Sequence, residues 1–257
     1  MKSHQWLRGA GRVALGALAL TLAACGGGGG GRGGPTASTA ASGTVFDFGG
    51  NDPYRVVAFG DSITVGTIDQ GVKAARPYPT QLQAMLRGLD ARYRVVNRGV
   101  GGEDTREGLR RFGTVIAKDR AGYVLVMEGT NDATLHESPA VIVGNLRTMI
   151  EQARASSTIP VLATIPPNFR SSPEPRRVIE ETNPLIRALA RELGVVLAEI
   201  HDGMNDPVLF FSRDPLHPNQ RGYDVMAGIW FGAMQEAIRP AASTTAARAS
   251  GRRRPAA

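Results

Sequence analysis

From Tyr54 onward, short apolar runs rich in Val, Ile and Leu alternate with longer segments whose apolar positions recur at helical spacing. Five runs read as strands: Arg55–Phe59, Tyr93–Asn97, Tyr123–Met127, Pro160–Ile165 and Val195–Ile200. Strands that alternate with helices in this way predict a parallel sheet covered by helices on both faces. Between the third and fourth strands, Ser138-Pro139 supplies an N-cap followed by proline at the first helical position. Ile142, Leu146, Met149, Ile150 and Ala153 then fall on one face, which predicts an amphipathic helix. Pro184 interrupts the next helical stretch, Glu174–Leu193, and predicts a late start or a kink there. Asn219–Ile238 reads as the closing helix.

The ends of the chain follow no such pattern. Lys2, Arg8 and Arg12 precede an apolar stretch from Val13 to Ala24, the plan of a secretory signal peptide. The apolar part is too short for a comfortable membrane span. It ends in Leu22-Ala23-Ala24-Cys25, which resembles the bacterial lipobox, whose cysteine is lipidated and becomes the first residue of the mature chain. Cys25 is the only cysteine, so it has no internal disulfide partner. The Gly-rich stretch that follows cannot bury a core and reads as a flexible tether. No Gly-Lys-Ser/Thr follows it and no strand precedes it, so it is no phosphate-binding loop. The expected organisation is a lipoprotein signal over residues 1–25, a linker over 26–52, one catalytic domain over 53–239 and a disordered basic tail over 240–257.

Charge changes little. The formal charge is +7, but residues 1–43 and 240–257 carry eight basic residues and no acid, leaving 22 basic against 23 acidic residues in the rest. The folded part is therefore nearly neutral, and no nucleic-acid partner is implied. An exported protein of the cell envelope, held on a membrane through a lipid on Cys25, is the expectation.

In open α/β sheets, ligands bind at the carboxyl ends of the strands. Four segments stand there. Gly60-Asp61-Ser62-Ile63-Thr64 puts a hydroxyl at the sheet edge, although glycine, aspartate and serine are also ordinary turn and cap residues. Asn97-Arg98-Gly99-Val100-Gly101-Gly102-Glu103-Asp104-Thr105 lets the backbone come close to a ligand and is no dinucleotide fingerprint, because Asp104 stands where the third glycine belongs. Glu128-Gly129-Thr130-Asn131-Asp132 offers an amide. In Asp214-Pro215-Leu216-His217-Pro218-Asn219 a carboxylate stands three residues before an imidazole.

In order and approximate spacing these segments resemble the blocks of the SGNH hydrolase superfamily, also called GDSL esterases and lipases, over Tyr54 to about Ile238. The resemblance implies a three-layer α/β/α sandwich around a five-stranded parallel sheet in flavodoxin-like order, with the first strand between the second and third. It implies Ser62 as nucleophile, Asp214 and His217 as the rest of a catalytic triad, and Ser62, Gly102 and Asn131 as oxyanion-hole donors. Many members have serine before the oxyanion glycine, aspartate after it, and glycine where Pro215 stands. Here Gly101 and Glu103 flank the position, so both Gly101 and Gly102 are candidates for the N–H, with Gly102 preferred.

A serine hydroxyl is a poor nucleophile until a base takes its proton, the part His217 would play, with Asp214 holding the imidazole. The implied activity is hydrolysis of a small-molecule or lipid carboxylic ester or thioester through an acyl-enzyme, with no cofactor. Removal or transfer of acetyl groups on a polysaccharide is the alternative, and a tethered binding protein with an idle site the third. His4 lies in the signal, and neither His136 nor His201 has neighbours at metal-ligand spacing, so no metal site is expected. His136 and the Pro166-Pro167-Asn168-Phe169 segment are candidates for the rim of a cleft. Phe211 and Trp230 read as core. Asp61, Thr64 and Asp132 read as turn and cap residues able to support the site.

Overall fold

Each apolar run becomes a strand, fully buried at the centre of the sheet and partly exposed at its edges, and the segments between them become helices that cover it. In the computed structural model, which describes residues 46–69 and 71–239, the chain opens with β1 (Asp52–Gly60), the one-turn helix α1 (Ser62–Val65) and a small hairpin of β2 (Thr67–Asp69) and β3 (Val72–Lys73). There follow α2 (Tyr78–Leu89), β4 (Arg94–Gly99), α3 (Thr105–Asp119), β5 (Ala121–Met127), α4 (Thr130–Thr134), α5 (Pro139–Ala155) and β6 (Ile159–Ala163). The chain closes with α6 (Pro173–Leu193), β7 (Val196–Ala198), α7 (Ile200–Gly203), α8 (Pro207–Phe210) and α9 (Gln220–Ile238).

The five-stranded sheet has the order β4-β1-β5-β6-β7 with every pairing parallel, so the first strand lies between the second and third as expected. The period of two along a strand sends neighbours to opposite faces. Val56 and Ala58 join one core with Leu82 and Leu86 of α2 and Tyr223, Met226 and Trp230 of α9. Val57 and Phe59 join the other, with Phe112 of α3, Leu146 and Ile150 of α5 and Ile186 of α6. The face of α5 read from the sequence is the one that is buried, and the Ser138 hydroxyl caps the Val141 amide. Trp230 is fully buried and stacks on Tyr78 at 5.9 Å between ring centroids. Trp230→Ala is therefore expected to lower the unfolding free energy by about 3–5 kcal/mol, read from urea denaturation.

Several boundaries move, each for a nonlocal reason. Helix α6 starts at Pro173 and runs past Pro184 instead of starting late. Pro184 lies on the exposed face, so the carbonyl it strips of a partner, that of the exposed Glu180, is left to water. Strand β6 ends before Ile165 because the Asn183 side chain takes both backbone groups of Ile165, accepting its N–H at 2.8 Å and donating to its carbonyl at 3.0 Å. The expected domain start at residue 53 is late: Phe48 packs on Tyr123 at 5.6 Å, and Asn51 donates to the Ser156 carbonyl at 2.6 Å. The β2–β3 hairpin is too short to give a periodic signal in the sequence. The signal, Cys25, most of the linker and the basic tail lie outside the described residues. No helix among the described residues is long and apolar enough to cross a membrane.

Candidate active site

Four loops meet at the carboxyl edge of the sheet. The chain leaves β1 at Gly60 and turns at once into α1, whose N-cap Asp61 accepts the Ile63 amide at 2.8 Å and whose first residue is Ser62. The strand beside it, β4, ends at Gly99, where an added Cβ would meet backbone atoms of Asp61 and Val65, so the two loops touch main chain to main chain. Beyond it the chain turns through Gly102 at φ +81°, a left-handed conformation that favours glycine. The point where a Gly101 side chain would begin lies 3.9 Å from the Ser62 Cβ.

On the other side of β1, β5 leads into α4, which carries Asn131. The Asn131 amide donates to the Glu103 carbonyl at 2.8 Å, joining this loop to the glycine loop across the Ser62 turn. An amide NH₂ has two donors, so one N–H is left. The backbone amides of Ser62, Gly101 and Gly102 make no hydrogen bond among the described residues.

The fourth loop precedes α9. The Ser62 hydroxyl stands 2.9 Å from His217 Nε2, and His217 Nδ1 stands 2.7 Å from Asp214 Oδ2. The other carboxylate oxygen, Oδ1, accepts the Leu216 amide at 3.0 Å and faces Arg170 at 3.5 Å. Burial pushes the Asp214 carboxyl up, but the His217 bond, the Leu216 amide and the charges of His217 and Arg170 together hold it below its ordinary value. Asp214 is thus ionised at neutral pH.

The residues read as supports have structural tasks. Thr64 bonds the Tyr78 hydroxyl at 3.0 Å, and Asp132 accepts both the amide and the hydroxyl of Thr105, at 2.8 and 2.5 Å. His136 is exposed at the end of α4, and His201 pairs with Asp202 at 3.1 Å. Phe211 is buried against Phe169 with ring centroids 5.0 Å apart. Among the described residues, no group of three His, Cys, Asp or Glu side chains could hold a metal ion.

Sequence reading missed the charged layer behind the site. Glu103 is buried and pairs with Arg111, whose guanidinium lies 3.9 Å above the Phe59 ring. Glu128 is buried close by; burial and the charges of Asp61 and Glu103 push its carboxyl well above the ordinary value, favouring the protonated form. The only signal for this layer was Glu103 in place of the family's aspartate. Its cation comes from α3, which only the tertiary fold brings near.

Asp61 shares this setting, and burial pushes its carboxyl up to about 6 from an unfolded value of 3.8. Below pH 4 both folded and unfolded chains hold the proton. Between about 4 and 6 the unfolded chain loses it first, so stability falls as pH rises through that window. Asn keeps a carbonyl oxygen to cap Ile63 and has no proton to lose. Asp61→Asn is expected to match the wild type near pH 4 and to exceed it at pH 8 by on the order of 1–3 kcal/mol, measured by denaturant titration at both pH values.

Fold and site define a three-layer α/β/α protein with a hydroxyl, an imidazole and a carboxylate in line at the carboxyl edge of its sheet. The model of the GDSL-like lipase/acylhydrolase family matches residues 58–225. The chain belongs to that family of esterase- and lipase-type hydrolases. Esterase TesA of Pseudomonas aeruginosa is 27% identical over 166 residues, 63% of this chain and 79% of that protein. The uncharacterized lipoprotein YqeF of Bacillus subtilis is 33% identical over 121 residues, 44% of this chain and 48% of its own length. Among solved structures, the lipase/acylhydrolase from Enterococcus faecalis superposes with a TM-score of 0.62 at 25% identity, over 72% of this chain and 97% of that one.

Proposed function

We propose that the chain is a serine esterase that hydrolyses carboxylic esters or thioesters through an acyl-enzyme on Ser62. The observation that carries this reading is the unbroken line from Ser62 Oγ through His217 to Asp214, with contacts of 2.9 and 2.7 Å. His217 Nε2 takes the Ser62 proton as Oγ attacks the carbonyl carbon, and Asp214 holds Nδ1 protonated and steadies the imidazolium. The same Nε2 returns the proton to the departing alcohol or thiol. Water, activated by His217, then releases the acid and restores Ser62.

Negative charge builds on the carbonyl oxygen during both steps. The amides of Ser62 and Gly102 and the second N–H of Asn131 are its donors, carried on backbone and on a side chain already anchored to the Glu103 carbonyl, so they need little reorganisation. Asn131→Ala is expected to lower kcat by about 10²–10³. Steady-state hydrolysis of p-nitrophenyl butyrate checks this, with circular dichroism to confirm the fold.

A fluorophosphonate probe tests the whole reading: it should modify the folded protein at Ser62, located by peptide mass spectrometry. Folded protein that stays unmodified would sink it. The coupling of an apolar signal to Cys25, together with a relative named a lipoprotein, supports export and attachment to a membrane through lipidated Cys25. Mass spectrometry of the mature N-terminus checks this; an unmodified terminus at another residue removes the anchor.

A further inference from the structure

The Asn131 amide takes its direction from one carbonyl, that of Glu103, which it meets at 2.8 Å. Its second N–H is the oxyanion donor, so any turn of the Glu103 peptide turns that donor too. Two anchors hold this peptide. On its C-terminal side Asp104 caps α3: its side chain accepts the Glu107 amide, and the Glu107 side chain accepts the Asp104 amide. The second anchor is the Glu103 side chain, 4% exposed, which runs along α3 to Arg111, eight positions on.

Both carboxylate oxygens are taken there. Arg111 Nε donates to Oε2 at 2.5 Å and Nη2 donates to Oε1, the two-point match of a guanidinium to a carboxylate. The carboxylate rests on Gly108, where an added Cβ would lie 3.4 Å from Oε1 and 3.3 Å from Phe59 Cε1. Arg111 Cζ stands 3.9 Å from the centroid of the Phe59 ring, and Phe59 leads through Gly60 and Asp61 to Ser62. One side chain thus ties together α3, the glycine loop and the strand that carries the nucleophile.

That tie needs a cation. Glu103 is buried beside the buried carboxyls of Asp61 and Glu128; burial first, and with it the Glu103 charge, push both of those above their ordinary values. Without the guanidinium a negative charge would stand there uncompensated, because breaking one side of a buried pair strands the other. The Glu103 side chain would then turn out toward water, and its carbonyl would turn with it.

Resting on the serine esterase reading, we propose that Arg111 is a positioning residue for the oxyanion hole: by pinning the Glu103 side chain it fixes the Glu103 carbonyl, and through that carbonyl the Asn131 N–H that meets the developing oxyanion. Its effect on the reaction therefore passes through Asn131.

Arg111→Met keeps a long side chain over Phe59 and removes the fork, whereas Arg111→Lys keeps the charge on a single ammonium. With p-nitrophenyl butyrate, Arg111→Met should lower kcat roughly 10- to 100-fold with KM little changed, and Arg111→Lys roughly 3- to 10-fold. In an Asn131→Ala background each should cost less than about twofold, because the donor they position is gone. A loss as large in that background as in the wild type would overturn the proposal, as would an unchanged kcat in folded Arg111→Met or a rise in KM alone. Urea denaturation checks folding, and Arg111→Lys carries the same comparison should Arg111→Met not fold. The side-chain amide resonance of Asn131, assigned by its loss in Asn131→Ala, reads the positioning without turnover. It should shift toward that of a free amide in Arg111→Met and less in Arg111→Lys, and a resonance unmoved in both would overturn the proposal. A resonance that depends on Arg111 in a protein that hydrolyses no ester would uphold the placement of Asn131 by Arg111 and sink the esterase reading.

Discussion

Replacing Ser62 by alanine is expected to lower kcat for ester hydrolysis by about 10⁵–10⁶ while leaving stability close to that of the wild type. Only the hydroxyl is lost, and its one hydrogen-bond partner among the described residues is His217 Nε2 at 2.9 Å. Ser62 does not cap its own helix, a task that belongs to Asp61, and alanine suits the first helical position. Without Oγ no acyl-enzyme forms, and the remaining rate is that of water attack on an ester held by the oxyanion donors. Steady-state kinetics on p-nitrophenyl butyrate, with urea denaturation alongside, measure both halves. A drop of less than tenfold in a folded variant would remove Ser62 from the mechanism.

Asp214→Asn should come next, at about 10⁴ in kcat. The Leu216 amide donates to Oδ1 at 3.0 Å, so an asparagine would keep its carbonyl there and turn its NH₂ toward His217. His217 Nδ1 would then have to accept rather than donate, which places the ring proton on Nε2. An imidazole protonated at Nε2 cannot take the Ser62 proton. The geometry survives and the chemistry fails. Because both residues act on one proton transfer, Asp214→Asn added to Ser62→Ala should cost little further. Multiplying losses in the double variant would show that Asp214 acts elsewhere.

These two residues mark different depths of what could be read along the chain. Asp214 and His217 stand three apart, and the loop that joins them was visible as a unit. Ser62 was one serine in a Gly-Asp-Ser turn until the strand order put its loop between those of Gly102 and Asn131. Arg170 had no visible link to Asp214, 44 residues away. The Glu103–Arg111 pair likewise joins a loop to a helix face whose approach depends on packing α3 against the sheet.

By itself the sequence determined the strand–helix alternation, the buried face of α5 and the cap at Ser138. All of these rest on periodicity or on contacts within a few residues, where the chain's own geometry does the placing. Only the tertiary structure decided that β6 stops before Ile165, that α6 continues past Pro184, and that Ser62 and His217, 155 positions apart, come within hydrogen-bond distance. It also decided which carboxyls are buried far enough for their protons to be held. Desolvation and hydrogen-bond distance depend on every element packed around a group, and a one-dimensional pattern carries neither.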